Sequence, residues 1–160
     1  MALGLDETSF KVLKTEGDAR IVRGSAVSVR EQGVLIIGPA GAGKSTFALR
    51  LCGLGGLLVS DDLVRLAPSE ESAAPNHLIM RAPVVSPPLI EARGFGIIAP
   101  PCAPEAPLVA VLDLAFGEED RVPEAMTLAL GAAEPRYFRS PPGPAAPEAI
   151  YFWLAAQARG

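Results

Sequence analysis

The sequence is poor in cysteine, histidine and the larger aromatics: its 160 residues include two Cys, one His, one Trp and two Tyr. Cys52 and Cys102 stand far apart and lack the paired spacing of a zinc site, which fits two buried thiols in a reducing cytoplasm. Positive charge is short as well. Fourteen Lys and Arg against eighteen Asp and Glu leave a net charge of -4, so no basic field is available to hold nucleic acid or an anionic membrane. Long apolar runs are missing too. Mean hydropathy is +0.31, yet charge, Gly or Pro breaks every run well before the roughly 18 residues of a membrane helix. The chain reads as soluble. The first twenty residues carry acids early and contain no apolar block ending in a small-residue cleavage site, so no export signal is expected.

What is present is a globular composition, 49% apolar and 20% charged, in a length that fits one domain of about 150 residues. Residues 1–19 show no clear period and are expected to be a lead-in or flexible tail, with the domain running over residues 20–160. Ser25 to Arg30 alternates, Glu31-Gln32-Gly33 predicts a turn, and Val34 to Ile37 reads as a buried strand. A glycine loop follows, then helical spacing of Phe47, Ala48 and Leu51 as far as Cys52. Leu57 to Ser60 is a second core strand that delivers Asp61 and Asp62 at its end. Ala67 to Asn76 is rich in Pro, Ser, Glu and Ala and predicts a surface loop, with a short strand at Leu78 to Met80. Pro87-Pro88 is read as starting a short helix that carries Glu91. Leu108 to Leu114, Met126 to Leu130 and Tyr137 to Arg139 are further strands, Gly117 to Asp120 a turn, and Pro147 to Gln157 a helix whose Tyr151, Phe152, Trp153 and Leu154 cover more than one face. Many strands and few helices make this an α/β domain with a strand-rich core.

One motif carries chemistry. Gly38-Pro39-Ala40-Gly41-Ala42-Gly43-Lys44-Ser45 matches G-x-x-x-x-G-K-[ST] in full and lies between a strand and a helix, where backbone N–H groups and the positive helix end face phosphates. Lys44 is one of only three lysines, so its place in the loop owes little to abundance. It would reach the β and γ phosphates while Ser45 offers its hydroxyl to Mg²⁺, and Thr46 opens the helix. No N-K-x-D guanine signature occurs, which favours ATP. Asp61 and Asp62 stand at the carboxyl end of the next strand, where ligands of open α/β sheets sit, and a carboxylate there can hold Mg²⁺ or accept a hydroxyl proton. Neighbours on an extended chain point to opposite sides, so one Asp faces the site and the other supports the loop or meets solvent; the sequence leaves open which.

The segments GVLIIGPAGAGKSTFALRL, LLVSDDLVRL and LIEARGFGII resemble the catalytic domain of HPr kinase/phosphorylase, clearly over about Arg20 to Ile98 and loosely beyond. The run Glu91 to Ile98, E-x-R-G-x-G-I-I, is the family's own signature. The short form is similar to versions in alphaproteobacteria that lack the N-terminal domain of the longer enzymes. The resemblance implies a phosphate-loop fold and transfer of the ATP γ phosphate to a serine of the phosphocarrier HPr, with phosphorolysis of that phosphoserine in many members. It further implies that Asp61 is the general base with Asp62 its partner, that Ser45 and Glu91 stand around Mg²⁺, and that a homo-oligomer forms. Arg93 either takes part in the signature's chemistry or forms a salt bridge that fixes Glu91.

Two departures bear on activity. Where the family has a histidine beside the catalytic aspartate, this chain has Arg23. An arginine stays charged at any working pH, so it can pair with Asp61 or a phosphate but cannot shuttle a proton, which weighs against phosphorolysis. The P-G-R type motif of the longer enzymes is not found near the C-terminal end; Arg121, Arg136 and Arg139 are the candidates for its partial replacement, or ordinary surface charge. His77 does not align and reads as a solvated loop histidine. The rival readings are a nucleotide-binding regulatory module that has lost transfer, motivated by these departures, and a small-molecule kinase on the same scaffold.

Overall fold

Two-residue alternation of apolar side chains sets the architecture of the computed structural model, which describes residues 1–70, 77–115, 124–139 and 144–159. In chain order the strands are β1 (Ala2–Leu3), β2 (Val12–Glu16), β3 (Ala19–Arg23), β4 (Ser25–Val29), β5 (Gln32–Ile37), β6 (Leu57–Ser60), β7 (Leu63–Pro68), β8 (Leu78–Arg81), β9 (Ile90–Ala92), β10 (Gly96–Ile98), β11 (Ala106–Asp113), β12 (Met126–Leu128) and β13 (Arg136–Arg139). Helix α1 (Lys44–Gly53) follows β5, and α2 (Ala146–Gln157) follows β13.

β5 lies between β4, antiparallel, and β11, parallel. β13 runs parallel to β11, and β4 pairs antiparallel with β6. β5, β6, β11 and β13 therefore share one direction, and their carboxyl ends, at Ile37, Ser60, Asp113 and Arg139, gather along one edge. Alternation divides the core into two layers. Val34 and Ile36 face a cluster with Phe47, Ala48 and Leu51 of α1 and Ile150 and Leu154 of α2. Leu35 and Ile37 face a cluster with Val22, Val64, Leu66 and Met80, where β3, β7 and β8 curl over the sheet. Each such side chain, fully buried, contributes about 1.5–3 kcal/mol relative to exposure. On β11 the register shifts between Leu108 and Ala110, and this bulge moves the alternation by one: Leu108 belongs to the second layer, while Ala110 and Leu112 face the helices.

Most expected elements form, and the differences have local causes. The β4–β5 turn is Arg30–Glu31, both at positive φ, the pair of conformations a two-residue type I′ connection needs; Gln32 and Gly33 already belong to β5. Pro87-Pro88 starts no helix. A proline disfavours helical geometry in the residue before it, Gly94 and Gly96 sit at positive φ, and Glu91 lies instead on the β9–β10 hairpin. Ala67 and Pro68 end β7 rather than opening a loop; residues 71–76 and the expected turn at Gly117 to Asp120 lie outside the described residues. Residues 1–19 carry β1, paired with β12, and β2, paired with β3, and bury Leu3 and Phe10. On α2, Leu154 is buried and Phe152 is 71% exposed. Among the described residues no helix is long and apolar enough to cross a membrane.

The thiols are less buried than expected: Cys52 is half-buried on α1 and Cys102 is exposed. Burial pushes the Cys52 thiol up to about 11, and the thiolate is the reactive form. Alkylation at about pH 8 is therefore expected to modify Cys102 rapidly and Cys52 slowly, read by mass spectrometry against Cys102→Ser, which should retain only the slow phase. Equal rates at the two thiols would contradict this burial.

Candidate active site

β5 ends at Ile37, and the chain turns back over the sheet edge into α1. Gly41 and Gly43 sit at φ +82 and +97, where an added Cβ would meet no atom but the backbone itself would be strained. Gly43 is also the N-cap of α1 and supplies no side-chain cap. The first helical N–H groups, from Lys44 to Thr46, thus have no intrahelical acceptor and are open to an anion at the positive helix end. Lys44 Nζ folds back on the loop, donating to Gly38 O at 2.9 Å and Pro39 O at 3.0 Å.

The aspartate pair follows β6. Asp61 is half-buried, and its Oδ1 accepts from Ser25 Oγ at 2.6 Å and from Ser45 Oγ at 2.8 Å; Ser45 Oγ also lies 3.0 Å from Oδ2. Asp61 is therefore the carboxylate facing the phosphate loop. Asp62 does not continue the strand: its φ is +70, its carbonyl accepts the Gly24 N–H at 3.0 Å, and its Oδ1 pairs with Arg23 Nη1 at 2.8 Å. The guanidinium expected beside Asp61 or a phosphate thus holds Asp62. The left-handed turn sends the two carboxylates to different partners. Both members of the Arg23–Asp62 pair are largely exposed, so the pair contributes at most about 1 kcal/mol.

The signature segment reaches the same place by alternation. Ile90 and Ala92 of β9 are buried, Ile90 in the cluster around α1, while Glu91 and Arg93 point the other way. Arg23, Lys44, Ser45, Thr46, Asp61, Asp62, Glu91 and Arg93 line one cavity of about 700 Å³ with Ala40, Gly41 and Gly43. Among the described residues no ion pair joins Arg93 to Glu91. Nor, among them, does any group of three or more His, Cys, Asp or Glu side chains form a metal site. The donors that the cavity offers, the Ser45 hydroxyl and the Glu91 carboxylate, fit a magnesium ion that would complete its shell with waters and phosphate oxygens.

The other candidates lie elsewhere. His77 is exposed and lines a different cavity, with Asp18 and Arg20. The Arg136 guanidinium lies 4.7 Å from the Phe138 ring centre and 5.8 Å from that of Trp153, and that of Arg139 is 5.7 Å from Tyr137. Arg121 lies outside the described residues. Two residues not anticipated from sequence stand out. Ser25, fully buried, touches Asp61. Asp113, also fully buried, accepts from Ser9 N at 2.9 Å, Ala115 N at 3.0 Å and Tyr137 Oη at 2.6 Å. Burial, and then the bond to Asp113, raises the Tyr137 phenol well above its ordinary range. The available signal in both cases was a polar residue at the end of a largely apolar strand, Ser25 opening β4 and Asp113 closing β11.

Comparison with known proteins bears on the family and the fold. The family model for the HPr Serine kinase C-terminal domain matches residues 17–100. The HPr kinase/phosphorylase of Mycoplasmopsis pulmonis is 43% identical over 77 residues, 48% of this chain and 23% of that protein. That of Lachnoclostridium phytofermentans is 42% identical over 87 residues, 54% of this chain and 27% of that protein. The chain thus spans about a quarter of the length of these curated relatives. The structure of the Hpr(Ser) kinase/phosphatase from Coxiella burnetii superposes with a TM-score of 0.68 at 26% identity, covering 87% of this chain and 90% of that one.

Proposed function

The chain belongs to the HPr Serine kinase C-terminal domain family, and from that premise we propose that it is an ATP-dependent protein serine kinase. Its acceptor would be a serine of an HPr-like phosphocarrier in the cytoplasm, and residues 20–160 would carry the catalytic machinery. The observation that supports this reading is the single cavity in which the phosphate loop, Asp61 and the signature residues Glu91 and Arg93 meet.

In this reading the phosphate loop from Gly38 to Thr46, through the N–H groups of Ala40, Gly41 and Gly43 to Thr46, and the Lys44 ammonium bind and orient the triphosphate. Ser45 and Glu91 hold Mg²⁺, which when bound neutralises phosphate charge. Asp61 orients the acceptor serine and takes its hydroxyl proton as the oxygen bonds to the γ phosphorus and ADP leaves. Asp62, tied to Arg23, fixes the corner that presents Asp61. Positioning and charge supply most of the rate. Phosphorolysis needs a proton returned to the serine oxygen; Arg23 cannot carry one, which leaves Asp61 to return it without a histidine partner, so phosphorolysis is expected to be the slower reaction. Exposed Val85, Phe95 and Ile97 support a homo-oligomer.

Arg23 in the histidine position also supports one second reading, a nucleotide-binding regulatory module without transfer. Calorimetric titration with ATP and GTP, each with and without Mg²⁺, followed by mass spectrometry of added HPr, separates the two. Magnesium-dependent ATP binding with one phosphoryl group gained on a carrier serine is the expected result, and phospho-HPr with inorganic phosphate should revert slowly. ATP binding without transfer to HPr would favour the module; transfer to a metabolite alone would make it a small-molecule kinase.

A further inference from the structure

Three consecutive residues hold the aspartate corner. Arg23 pairs with the Asp62 carboxylate, the Gly24 N–H donates to the Asp62 carbonyl, and Ser25 Oγ donates to Asp61 Oδ1. The pairing of β4 with β6 explains the last contact: Ala26 stands opposite Ser60, so Ser25, one residue earlier, stands opposite the residue that follows Ser60. Gly24 permits the close approach, since a Cβ there would lie 2.7 Å from the Ile36 carbonyl.

A serine hydroxyl fully out of water is costly unless it is bonded, and an alanine, as at the adjacent Ala26, would fill the strand position without that cost. The bond that Ser25 makes is directed at the carboxylate facing the phosphate loop. Asp61 has two hydroxyl partners, Ser25 and Ser45. Ser45 belongs to the phosphate loop, where its oxygen is the one offered to the cation. Ser25 lies outside the cavity lining and has no such second duty.

We propose that Ser25 is a positioning residue for Asp61. Its buried hydroxyl anchors Oδ1 and so fixes the rotation of the carboxylate, which holds Oδ2, met by Ser45 Oγ at 3.0 Å, on the phosphate-loop side as the oxygen for the acceptor hydroxyl. Ser25 itself gains and loses no proton and touches no substrate. The catalytic part of this proposal rests on the kinase reading above; the anchoring contact does not.

The test uses Ser25→Ala, Ser25→Thr, Asp61→Ala and the Ser25→Ala/Asp61→Ala double variant of the full chain. Ser25→Ala is expected to bind MgATP within twofold of the parent, to keep KM for ATP and HPr, and to lower kcat about tenfold, the scale of effect expected from a misplaced reacting group. Ser25→Thr, which keeps the hydroxyl, should restore most of kcat. Thermal unfolding midpoints of the four-member cycle should be non-additive, because the two side chains share one bond. Parent-like kcat in Ser25→Ala, or a Ser25→Thr variant that folds normally and restores nothing, would overturn the positioning role. An additive cycle would overturn the anchor itself. If the parent transfers no phosphate to HPr, the kinase reading fails separately and the cycle still decides whether Ser25 anchors Asp61.

Discussion

Replacing Lys44 with alanine is expected to lower MgATP affinity by about 10- to 100-fold, the scale of one or two charge-assisted hydrogen bonds, and to bring phosphoryl transfer below detection. The fold should be unaffected. Among the described residues the ammonium bonds only to the loop's own carbonyls, at Gly38 and Pro39, and Pro39 is exposed, so water can replace it there. Water cannot replace it against a triphosphate, where a fixed positive charge is needed on the β and γ oxygens. Calorimetry with MgATP and a thermal melt of the same sample check both halves. A variant that binds ATP as the parent does would remove Lys44 from the phosphate site; one that unfolds early would make the residue a loop staple. Asp61→Asn provides the contrast: it keeps the loop and the shape of the Ser25 and Ser45 contacts, so binding should persist while transfer is lost.

The place of Lys44 was legible in the sequence because its signal is local, whereas Asp61 was legible only as one of a pair with Asp62. A strand, a glycine loop and a helix start occupy consecutive residues, and the loop's positive-φ positions fall on Gly38, Gly41 and Gly43, residues that take that conformation without strain. β11 was legible for the same reason, as an unbroken apolar run. What lay beyond the sequence depends on partners distant along the chain. β2 is exposed along its whole length and so carries no alternation of apolar residues; its place comes from pairing with β3. Glu91 was assigned to the site by its signature but to a helix by its prolines, and only the hairpin partner Ile97 makes the segment a strand. The division of labour between Asp61 and Asp62 turned on one left-handed residue. Aspartate adopts that conformation more often than most residues, yet nothing in the neighbouring letters requires it.

Asp113 is the other position where a single change should have a large effect, and it links the fold to the site. It sits at the carboxyl end of β11, opposite Ile37, and the next residue, Leu114, donates its N–H to the Ile37 carbonyl at 2.9 Å, just before the phosphate loop begins. Its oxygens collect donors from three parts of the chain: Ser9 in the N-terminal segment, Ala115 beyond β11 and Tyr137 on β13. Asp113→Ala removes all three bonds, leaving the buried phenol and two backbone N–H groups without their acceptor. Of the three donors only the phenol is fully buried, Ser9 being half-buried and Ala115 exposed; an uncompensated buried donor costs about 1–3 kcal/mol and each part-buried bond about 0.5 kcal/mol, so the variant should lose about 2–4 kcal/mol in urea unfolding, with MgATP binding falling only as the folded fraction falls. Tyr137→Phe removes the bond to Asp113 together with the hydrogen bond between the phenol and Arg139 and should cost about 1–2 kcal/mol. The Tyr137 phenol is raised in the fold, so its contribution is complete below its ordinary value of about 10 and is lost as pH rises toward the folded value; the parent should therefore lose stability above about pH 10, and Tyr137→Phe should lose less over that range. An Asp113→Ala variant as stable as the parent would mean that water reaches the site, and that the N-terminal segment and β13 are joined to the base of the phosphate loop by packing alone.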